Sequence, residues 1–286
     1  MKIAVLKAEE IAEKLSEFAV AALLEEVQLS PKPGLVDRGN NGSHHDLTLE
    51  LMERSARVLK STFYEMAVAA AGKQPSQQLR EQLAAIGRYG EQKMLQATGY
   101  VNTHKGAIWT LGLLTGAAGL LLTDREGGHF SPEDCLQTAG AIATYKDRYM
   151  PVQPTNGCRV RKRYGVRTAR EEAVSGFPSL SAIAFPAWEK YAAEPATVRQ
   201  LNVLLALMAA IDDTCILHRS NLHILRNVQL QAAAILERGG LGLLDNHAAY
   251  VQLDAYVTRN WVSPGGSADL LAATIFVQKI TQFFKS

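Results

Sequence analysis

The sequence has few of the features that mark secreted, membrane-spanning or strongly charged proteins. Only three of its 286 residues are cysteines, Cys135, Cys158 and Cys215, and they have no CxxC spacing. This argues against a disulfide framework or a zinc site and indicates a reducing cytoplasm. The net charge of +2 gives no broad electrostatic basis for binding nucleic acid, so any anion site must be a local cluster of cations.

Long apolar runs are also scarce. The longest, residues 108–122, is shorter than the roughly 18 to 20 residues that span a bilayer, and Gly112 and Gly116 interrupt it. We therefore expect a buried helix there and no membrane partner. The first residues carry glutamates where a signal peptide needs an apolar core, which again favours a cytoplasmic protein.

Strand patterns are nearly absent, and helical periodicity covers most of the chain. We find no internal repeat and no linker composition that would divide the sequence. The sequence therefore predicts one all-α domain over residues 1–286, with roughly ten or more helices around a central apolar helix. Pro75-Ser76 marks a break between two helices, with Ser76 as the expected cap of the second. The predicted helices are 8–28, 47–71, 77–97, 105–122, 178–193, 196–211, 221–238, 245–258 and 266–284, and one more that Ser131 caps before Pro132.

The densest polar segment is residues 31–46, PKPGLVDRGNNGSHHD. Its prolines and glycines block regular structure, and long loops inside compact domains are uncommon unless they function. Adjacent aspartate and histidine can bind a metal or move protons, and arginine suits phosphate. A solvated turn between two helices is the alternative interpretation.

A second cluster, residues 102–106, directly precedes the central apolar helix. A helix N-terminus favours anions, and Lys105 in that first turn opposes the helix dipole unless a bound phosphate offsets it. Alternatively, Asn102 or Thr103 caps the helix and the lysine is solvated.

A third cluster contains five arginines in twelve residues, which can clamp phosphate oxygens in bidentate fashion. Glycines at Gly157 and Gly165 flank part of it, so we expect a shaped loop that folds over a ligand. The alternative is solvated surface. The five arginines are Arg159, Arg161, Arg163, Arg167 and Arg170.

A fourth cluster is the pair Asp212 and Asp213, which follows an apolar helical stretch. If that helix continues, Asp212 and Arg219 share a face roughly. Paired carboxylates there are costly unless they bind a cation or arginine, and Mg²⁺ needs only one or two carboxylates when phosphate oxygens supply the rest. A polar helix end with a local salt bridge is the alternative.

The fifth cluster, residues 263–269 (SPGGSAD), opens the last predicted helix. Glycines beside a helix N-terminus let the backbone approach phosphate closely. The segment lacks the lysine of a Walker loop. A glycine-rich cap that uses Ser267 and Asp269 is equally consistent with the pattern.

These five segments together resemble the triphosphoribosyl-dephospho-coenzyme A synthase family, whose members serve citrate lyase and malonate decarboxylase. The resemblance runs from residue 25 to about residue 276. Two departures concern Cys215, where the family usually has Asn, and Ser220 and Asn221, where it usually has glycines. The segments that carry the resemblance are PKPGLVDRGNNGSHHD, VNTHKGAIWTLGLL, GVRTAREEAVSGFPSL, DDTCILHR and SPGGSADLLAAT.

The resemblance implies a reaction in which ATP donates its sugar and not a phosphate. The ribose 2′-hydroxyl of 3′-dephospho-CoA attacks the anomeric carbon of ATP, and adenine leaves. The product is the precursor of a prosthetic group that a separate transferase attaches to an acyl carrier protein. Glycosyl transfer passes through an oxocarbenium-like transition state, which carboxylates stabilise. It also needs a base for the hydroxyl and an acid for the leaving group.

We therefore expect Asp37 or His44 to be the base and His104 the acid at adenine. Mg²⁺ is the expected cofactor, and its expected ligands are Asp212 and Asp213, with Asp46 as a further candidate. The residues expected to bind the substrates are Lys32, Arg38, Asn41, Asn102, Lys105, Arg163, Arg167, Arg170, Arg219, Ser263, Gly265, Gly266 and Ser267.

Other functions are compatible with parts of the pattern. His45-Asp46 on an all-α chain is reminiscent of helical metal phosphohydrolases, but that class needs a separate upstream histidine and none precedes His44. A catalytically inactive helical module that binds a nucleotide is a second alternative, although a binder needs one pocket and not five polar clusters. The apolar face of residues 8–28 suits a homodimer as well as a core.

Overall fold

We analysed a computed structural model, which describes residues 8–124 and 130–285. Every regular element within those residues is helical, which confirms the predicted all-α fold. The helices are α1 (Ala8–Gln28), α2 (Leu49–Val58), α3 (Lys60–Ala70), α4 (Gln77–Ala97), α5 (Lys105–Asp124), α6 (Pro132–Thr144), α7 (Asn156–Tyr164), α8 (Ala169–Val174), α9 (Phe185–Lys190), α10 (Ala196–Ala210), α11 (Thr214–Arg219), α12 (Leu222–Glu237), α13 (His247–Arg259) and α14 (Gly265–Lys285), with a π-helical turn at Leu180–Ala184 and a 3₁₀ turn at Leu244–Asn246.

Helix α5 occupies the centre of the fold, as the sequence predicted. It packs against α1, α3, α4, α6 and α14, and Leu111, Leu114 and Ala117 are completely buried. Small residues permit the close approach of its neighbours, because a side chain at Gly119 would meet the backbone of Ala67 on α3 at 2.7 Å. The residues that start α5 are therefore held by the whole helical core.

The same helix is the one segment of the described residues that is long and apolar enough to cross a membrane, over Lys105–Thr123. The shorter apolar run that we read from the sequence did not include its first turn. In the structure 72% of its most apolar window is buried inside the protein, and a core helix passes the same test of length and composition.

Several helix ends follow the capping residues read from the sequence. Ser76 and Ser131 accept hydrogen bonds from the backbone N–H groups of Leu79 and Asp134, at 3.2 and 3.1 Å. The predicted helix over 47–71 is instead two helices that meet at Leu59. Its fully buried side chain fixes that junction in the core.

The arginine-rich stretch is not the loop that we predicted, since much of it forms α7 and α8. Thr155 caps α7 by accepting a hydrogen bond from the N–H of Cys158 at 3.3 Å. Gly165 ends it in the left-handed conformation at φ 72°. Val160 is buried, and the Tyr164 hydroxyl donates to the Ser220 carbonyl at 3.2 Å. Capping and packing on α11 thus stabilise a helix in a polar sequence.

Candidate active site

The loop between α1 and α2 is built around the carboxylate of Asp37, which is 3% exposed. One oxygen accepts from the backbone N–H groups of Gly39 and Asn40, at 2.6 and 2.9 Å. The other accepts from the Ser30 hydroxyl at 3.0 Å and the Lys32 N–H at 2.8 Å. Four donors use the carboxylate fully, so Asp37 in this state fixes the shape of the loop.

The loop is also packed tightly against itself and against α13. A side chain at Gly42 (φ +54°) would meet the backbone of Gly34 at 2.5 Å, and one at Gly34 (φ +66°) would meet the Val262 carbonyl at 2.7 Å. The N–H of Gly34 donates to Asp254 at 3.0 Å, and Tyr250 donates its hydroxyl to the Pro31 carbonyl at 2.7 Å. These contacts hold the polar segment rigidly.

Lys32 carries a buried cation into this region. Its Nζ lies 2.5 Å from Oε1 of Glu26 and 2.6 Å from the Glu26 carbonyl, and both side chains are at least nine-tenths buried. A buried ion pair of this kind is costly to desolvate. Its position at the end of α1 brings a positive charge close to His104, whose pKa the charge of Lys32 helps to lower.

His104 precedes α5 and is itself 3% exposed. Its Nδ1 lies 2.7 Å from the hydroxyl of Ser55, while its Nε2 is buried without a hydrogen-bond partner. Burial first, and then Lys32, lowers the pKa of His104 to about 4. The imidazole is therefore neutral at pH 7, and one of its nitrogens is free for a ligand.

The start of α5 also shows which interpretation of its polar residues holds. Asn102 accepts a hydrogen bond from the N–H of Lys105 at 3.3 Å, so it caps the helix. The Lys105 ammonium lies 2.5 Å from Glu91 and is half exposed. This ion pair compensates a cation in the first turn without any bound phosphate.

Asp213 joins two helix starts. Oδ1 accepts from the N–H groups of Cys215 and Gly266, at 2.9 and 3.3 Å, and Oδ2 accepts from the N–H and hydroxyl of Ser267, at 2.8 and 3.0 Å. Burial raises the pKa of Asp213, and these hydrogen bonds oppose that shift. The first N–H groups of α14 are thus occupied by a carboxylate, and a side chain at Gly265 would meet Sγ of Cys215 at 3.1 Å.

Asp269, one turn into α14, has no such partners. Among the described residues its carboxylate makes no hydrogen bond or ion pair, and it lies so close to Gly106 that a side chain there would collide with it. Burial, and then the charges of Glu26 and Asp213, raise the pKa of Asp269 well above its usual range. Three acidic groups thus lie near one another at the start of α5, and one of them is unengaged.

His44 lies beside Arg219 on α11. The Arg219 guanidinium contacts Nδ1 of His44 at 3.1 Å and donates to the Ser43 carbonyl at 2.7 Å. Asp46 Oδ1 is 3.9 Å from the same Nδ1. Burial first, and then Arg219, lowers the pKa of His44 to about 4, against a smaller opposite effect of Asp46.

The predicted metal ligands are not grouped together. The helix α10 ends at Ala210, so Asp212 and Arg219 do not share a helix face, and Asp212 instead pairs with Arg226 at 3.0 Å. No three His, Cys, Asp or Glu side chains among the described residues are arranged to hold a metal ion. Of the two neighbouring carboxylates, Asp213 already accepts four hydrogen bonds, so Asp269 is the one that could contact a cation.

The arginines of the third cluster differ in their surroundings. Arg163 is exposed and its guanidinium lies over the Tyr164 ring, 5.0 Å from the centroid. Arg167 is 3.4 Å from Glu172. Arg170 is half-buried and has no hydrogen bond or ion pair with any described residue. Arg38, at the edge of the first loop, donates to Gln28 at 3.0 Å.

Four of the five segments therefore meet at the start of α5. They supply Lys32, His104, Asp213 and Asp269, while the indole of Trp109 donates to the Ala169 carbonyl at 3.2 Å and so links α5 to the arginine-bearing α8. Asn41 is exposed and Ser263 is buried. Sequence reasoning did not select Asp269, because its spacing within the glycine-rich segment was as consistent with a helix cap.

Acidic side chains and the buried cation of Lys32 thus form a polar site at the start of the central helix of an all-α protein. Comparison with known proteins identifies the family. Residues 12–286 match the family model CitG, described as ATP:dephospho-CoA triphosphoribosyl transferase. The chain therefore belongs to this transferase family, as its motifs predicted.

Curated relatives agree along nearly the whole chain. A protein of Azotobacter vinelandii named "Probable 2-(5''-triphosphoribosyl)-3'-dephosphocoenzyme-A synthase" is 44% identical over 97% of this chain and 95% of its own length. The Klebsiella pneumoniae protein named "2-(5''-triphosphoribosyl)-3'-dephosphocoenzyme-A synthase" is 42% identical over 96% and 97%. No solved structure matches the chain significantly.

Proposed function

We propose that this protein transfers the 5-triphosphoribosyl group of ATP to the ribose 2′-hydroxyl of 3′-dephospho-CoA. Support comes from the family match over residues 12–286 and from the meeting of Lys32, His104, Asp213 and Asp269 at the start of α5. The second of these carries the proposal, because separate sequence segments contribute the four groups and a binding loop alone would not need them together.

The reaction makes one bond and breaks one. The 2′-oxygen of dephospho-CoA bonds to C1′ of the ATP ribose and loses its proton to a base. The C1′–N9 bond breaks, and adenine leaves as an anion that then takes a proton from water. The triphosphate stays intact. Positive charge develops on the ribose in the transition state, and nearby carboxylates stabilise it.

His44 is our candidate for the base that takes the hydroxyl proton. It serves as a base only with its own proton on Nδ1, directed at Asp46, because Nε2 then presents a lone pair. The contact from Arg219 favours the opposite tautomer. We propose that Arg219 moves to a substrate phosphate on binding, which leaves Nδ1 to Asp46. Asp37, the other predicted base, already accepts four hydrogen bonds.

His104 is our candidate for the group that meets the departing adenine. Its Nε2 is free, and if the Ser55 hydroxyl donates to Nδ1, the proton lies on Nε2. A neutral imidazole in a buried site then donates a hydrogen bond to a developing negative charge. The positive charge of Lys32 close by favours the same anion.

Mg²⁺ bound by Asp269 would neutralise and orient the triphosphate oxygens of ATP. Asp213, a predicted ligand, already accepts four hydrogen bonds and would have to give some of them up to bind the same ion. Asp212 and Asp46, also predicted ligands, lie with Arg226 and His44 instead. In the predicted phosphate site, Lys32, Lys105 and Arg167 would exchange a carboxylate partner for a phosphate. Substrate binding stays a prediction for Lys32, Arg38, Asn41, Asn102, Lys105, Arg163, Arg167, Arg170, Arg219, Ser263, Gly265, Gly266 and Ser267.

The cellular setting is also part of the proposal. The three cysteines are free, and the cytoplasmic location stays a prediction. We expect the product to pass to a separate transferase that modifies an acyl carrier protein of citrate lyase or malonate decarboxylase. A homodimer stays a prediction.

The experiment is to incubate the purified protein with ATP, Mg²⁺ and 3′-dephospho-CoA and to follow free adenine by chromatography. We expect adenine only when both substrates are present, with a product mass equal to the sum of the substrates less adenine. ADP or phosphate as the product would instead identify a phosphohydrolase or kinase. Bound ATP with no product would identify an inactive nucleotide-binding module.

A further inference from the structure

Helix α4 buries an arginine on its core-facing side. Arg80 lies between Leu79 and Leu83 on that face and is 7% exposed. Its Nε is buried without a hydrogen-bond partner, and its guanidinium makes no hydrogen bond or ion pair with any described residue. Burying an arginine nitrogen without an acceptor is unfavourable, so Nε of Arg80 is unsatisfied in the protein alone.

The surroundings of Arg80 carry an excess of positive charge. Asp147 pairs with Arg88 at 2.5 Å, and Glu81 accepts from two nitrogens of Arg148, at 2.6 and 2.9 Å. Both nearby carboxylates are thus engaged by other arginines. Arg170 on α8 also lies close enough to act electrostatically on Arg80.

The chemistry of the neighbouring groups fits a phosphate chain. The Arg80 guanidinium lies over the Trp109 ring, 4.9 Å from the centroid, which holds its fork in one orientation. Burial, and then Arg170 and Arg88, lower the pKa of Arg80 against the opposite effect of Asp147. An anion with several oxygens would satisfy both unpaired arginines at once, with bidentate geometry.

The position also fits the reaction. Trp109 lies four residues after Lys105 on α5, about 6 Å along the helix axis, so the residue on which Arg80 stacks is about one turn from the start of α5. We propose that Arg80 and Arg170, ordered by Trp109, form a binding site for the phosphate chain of a substrate nucleotide. This inference rests on the proposed function for the identity of the nucleotide.

Two substrates carry such a chain, the triphosphate of ATP and the diphosphate of 3′-dephospho-CoA. The test is isothermal titration of each compound separately, with Mg²⁺, into the wild-type protein and the variants Arg80→Met, Arg80→Lys and Arg170→Met. Arg54→Met is the matched control, because Arg54 is an exposed helical arginine that pairs with Glu50. Melting temperature is measured for every variant.

We expect Arg80→Met to lower the affinity for one of the two substrates at least tenfold, with a melting temperature equal to or above that of the wild type. The affinity of Arg80→Lys should lie between those of the wild type and Arg80→Met. Arg170→Met should lower the affinity for the same substrate. Loss of ATP affinity would assign the triphosphate, and loss of dephospho-CoA affinity would assign the diphosphate. Arg54→Met should leave both affinities unchanged.

Unchanged affinity for both substrates in Arg80→Met would overturn the proposal, as would a lowered melting temperature with normal binding, since that result identifies a structural arginine. The adenine assay separates this failure from that of the proposed function. If the wild-type protein releases no adenine but the Arg80→Met variant binds a nucleotide more weakly, the binding site is supported and the proposed reaction is not. If adenine appears and Arg80→Met binds normally, only the site fails.

Discussion

The loop between α1 and α2 and the junction of α4, α5 and α8 both bury charged groups, but they compensate them differently. In the loop, Asp37 accepts four hydrogen bonds and Lys32 pairs with Glu26. At the junction, Arg80 has neither among the described residues. The charges of Asp37 and Lys32 are thus compensated within the loop, whereas in the proposed site at the junction the charge of Arg80 is compensated only when an anion binds. A substitution in the loop should therefore lower the stability of the protein, whereas a substitution at the junction should lower its affinity for an anion.

The largest effect should come from the most completely bonded group, Asp37. Replacing it by Ala leaves buried donors of the loop unsatisfied, each worth roughly 1 to 3 kcal/mol. Since such losses are not additive, we expect the free energy of unfolding to fall by about 3 to 5 kcal/mol. Urea denaturation measures it, with Asn41→Ala as an exposed control from the same loop, for which a change below about 0.5 kcal/mol is expected. Equal stability of both variants would show that Asp37 does not stabilise the loop.

The second effect is on acid stability and concerns His104. Its pKa is about 4 in the folded protein against 6.5 for an ordinary histidine. Between these values the unfolded chain binds the proton and the folded protein does not, so stability is retained above pH 6.5 and lost as the pH falls toward 4. The full loss is about 3 kcal/mol.

The variant His104→Phe removes this titration and keeps the apolar surroundings of the ring. Compared by urea denaturation at pH 7 and pH 4.5, it should lose less stability on acidification than the wild type. The carboxylates contribute equally to both proteins, so they cancel in the difference. The same acid sensitivity in both proteins would mean that His104 titrates normally.

The third prediction sharpens the contrast between two carboxylates of the active site. Asp269→Asn removes an unpaired charge, so we expect stability equal to or above that of the wild type and a loss of adenine release of about 100-fold. Asp213→Asn disturbs four hydrogen bonds and should lower stability as well as activity. Thermal melting and the adenine assay measure both, and normal turnover in Asp269→Asn would remove that residue from the site.

The smallest effect is expected at Lys105. The side chain is exposed and pairs with Glu91, and exposed pairs contribute about 0 to 1 kcal/mol. Lys105→Gln should therefore change stability by less than about 1 kcal/mol, while an increase in KM for ATP would show that phosphate replaces Glu91 as its partner. With KM unchanged, Lys105 would be no more than part of a surface ion pair.

Much of the fold could be predicted because local patterns determine it. Ser76 and Ser131 cap the helices that they were expected to cap, and the apolar run of α5 lies in the core. The helix α7 was missed because glycines and arginines suggest a loop, while its stability depends on Val160 and on the contact of Tyr164 with Ser220. Such contacts join residues that are distant in the sequence, so no local sequence pattern predicts them.

The active site was predictable in a similar, partial way. The clusters were visible because aspartate, histidine and glycine accumulate in short segments. Arg80 was not visible, because a single arginine in an amphipathic helix looks like a surface residue until its burial is known. The role of Asn221 was not visible either. This departure from the family pattern caps α12, because its side chain accepts a hydrogen bond from the N–H of Ile224 at 3.1 Å.

The contacts that build the site have a consequence for the order of folding. Helical proteins commonly fold fast because their contacts are local, but here Gly34 bonds to Asp254 across 220 positions and Gly266 to Asp213 across 53. Such distant pairs form only after the intervening chain has collapsed. During refolding, we expect helical circular dichroism to return before nucleotide binding does, and such a delay would reveal a state that has its helices but not yet its active site.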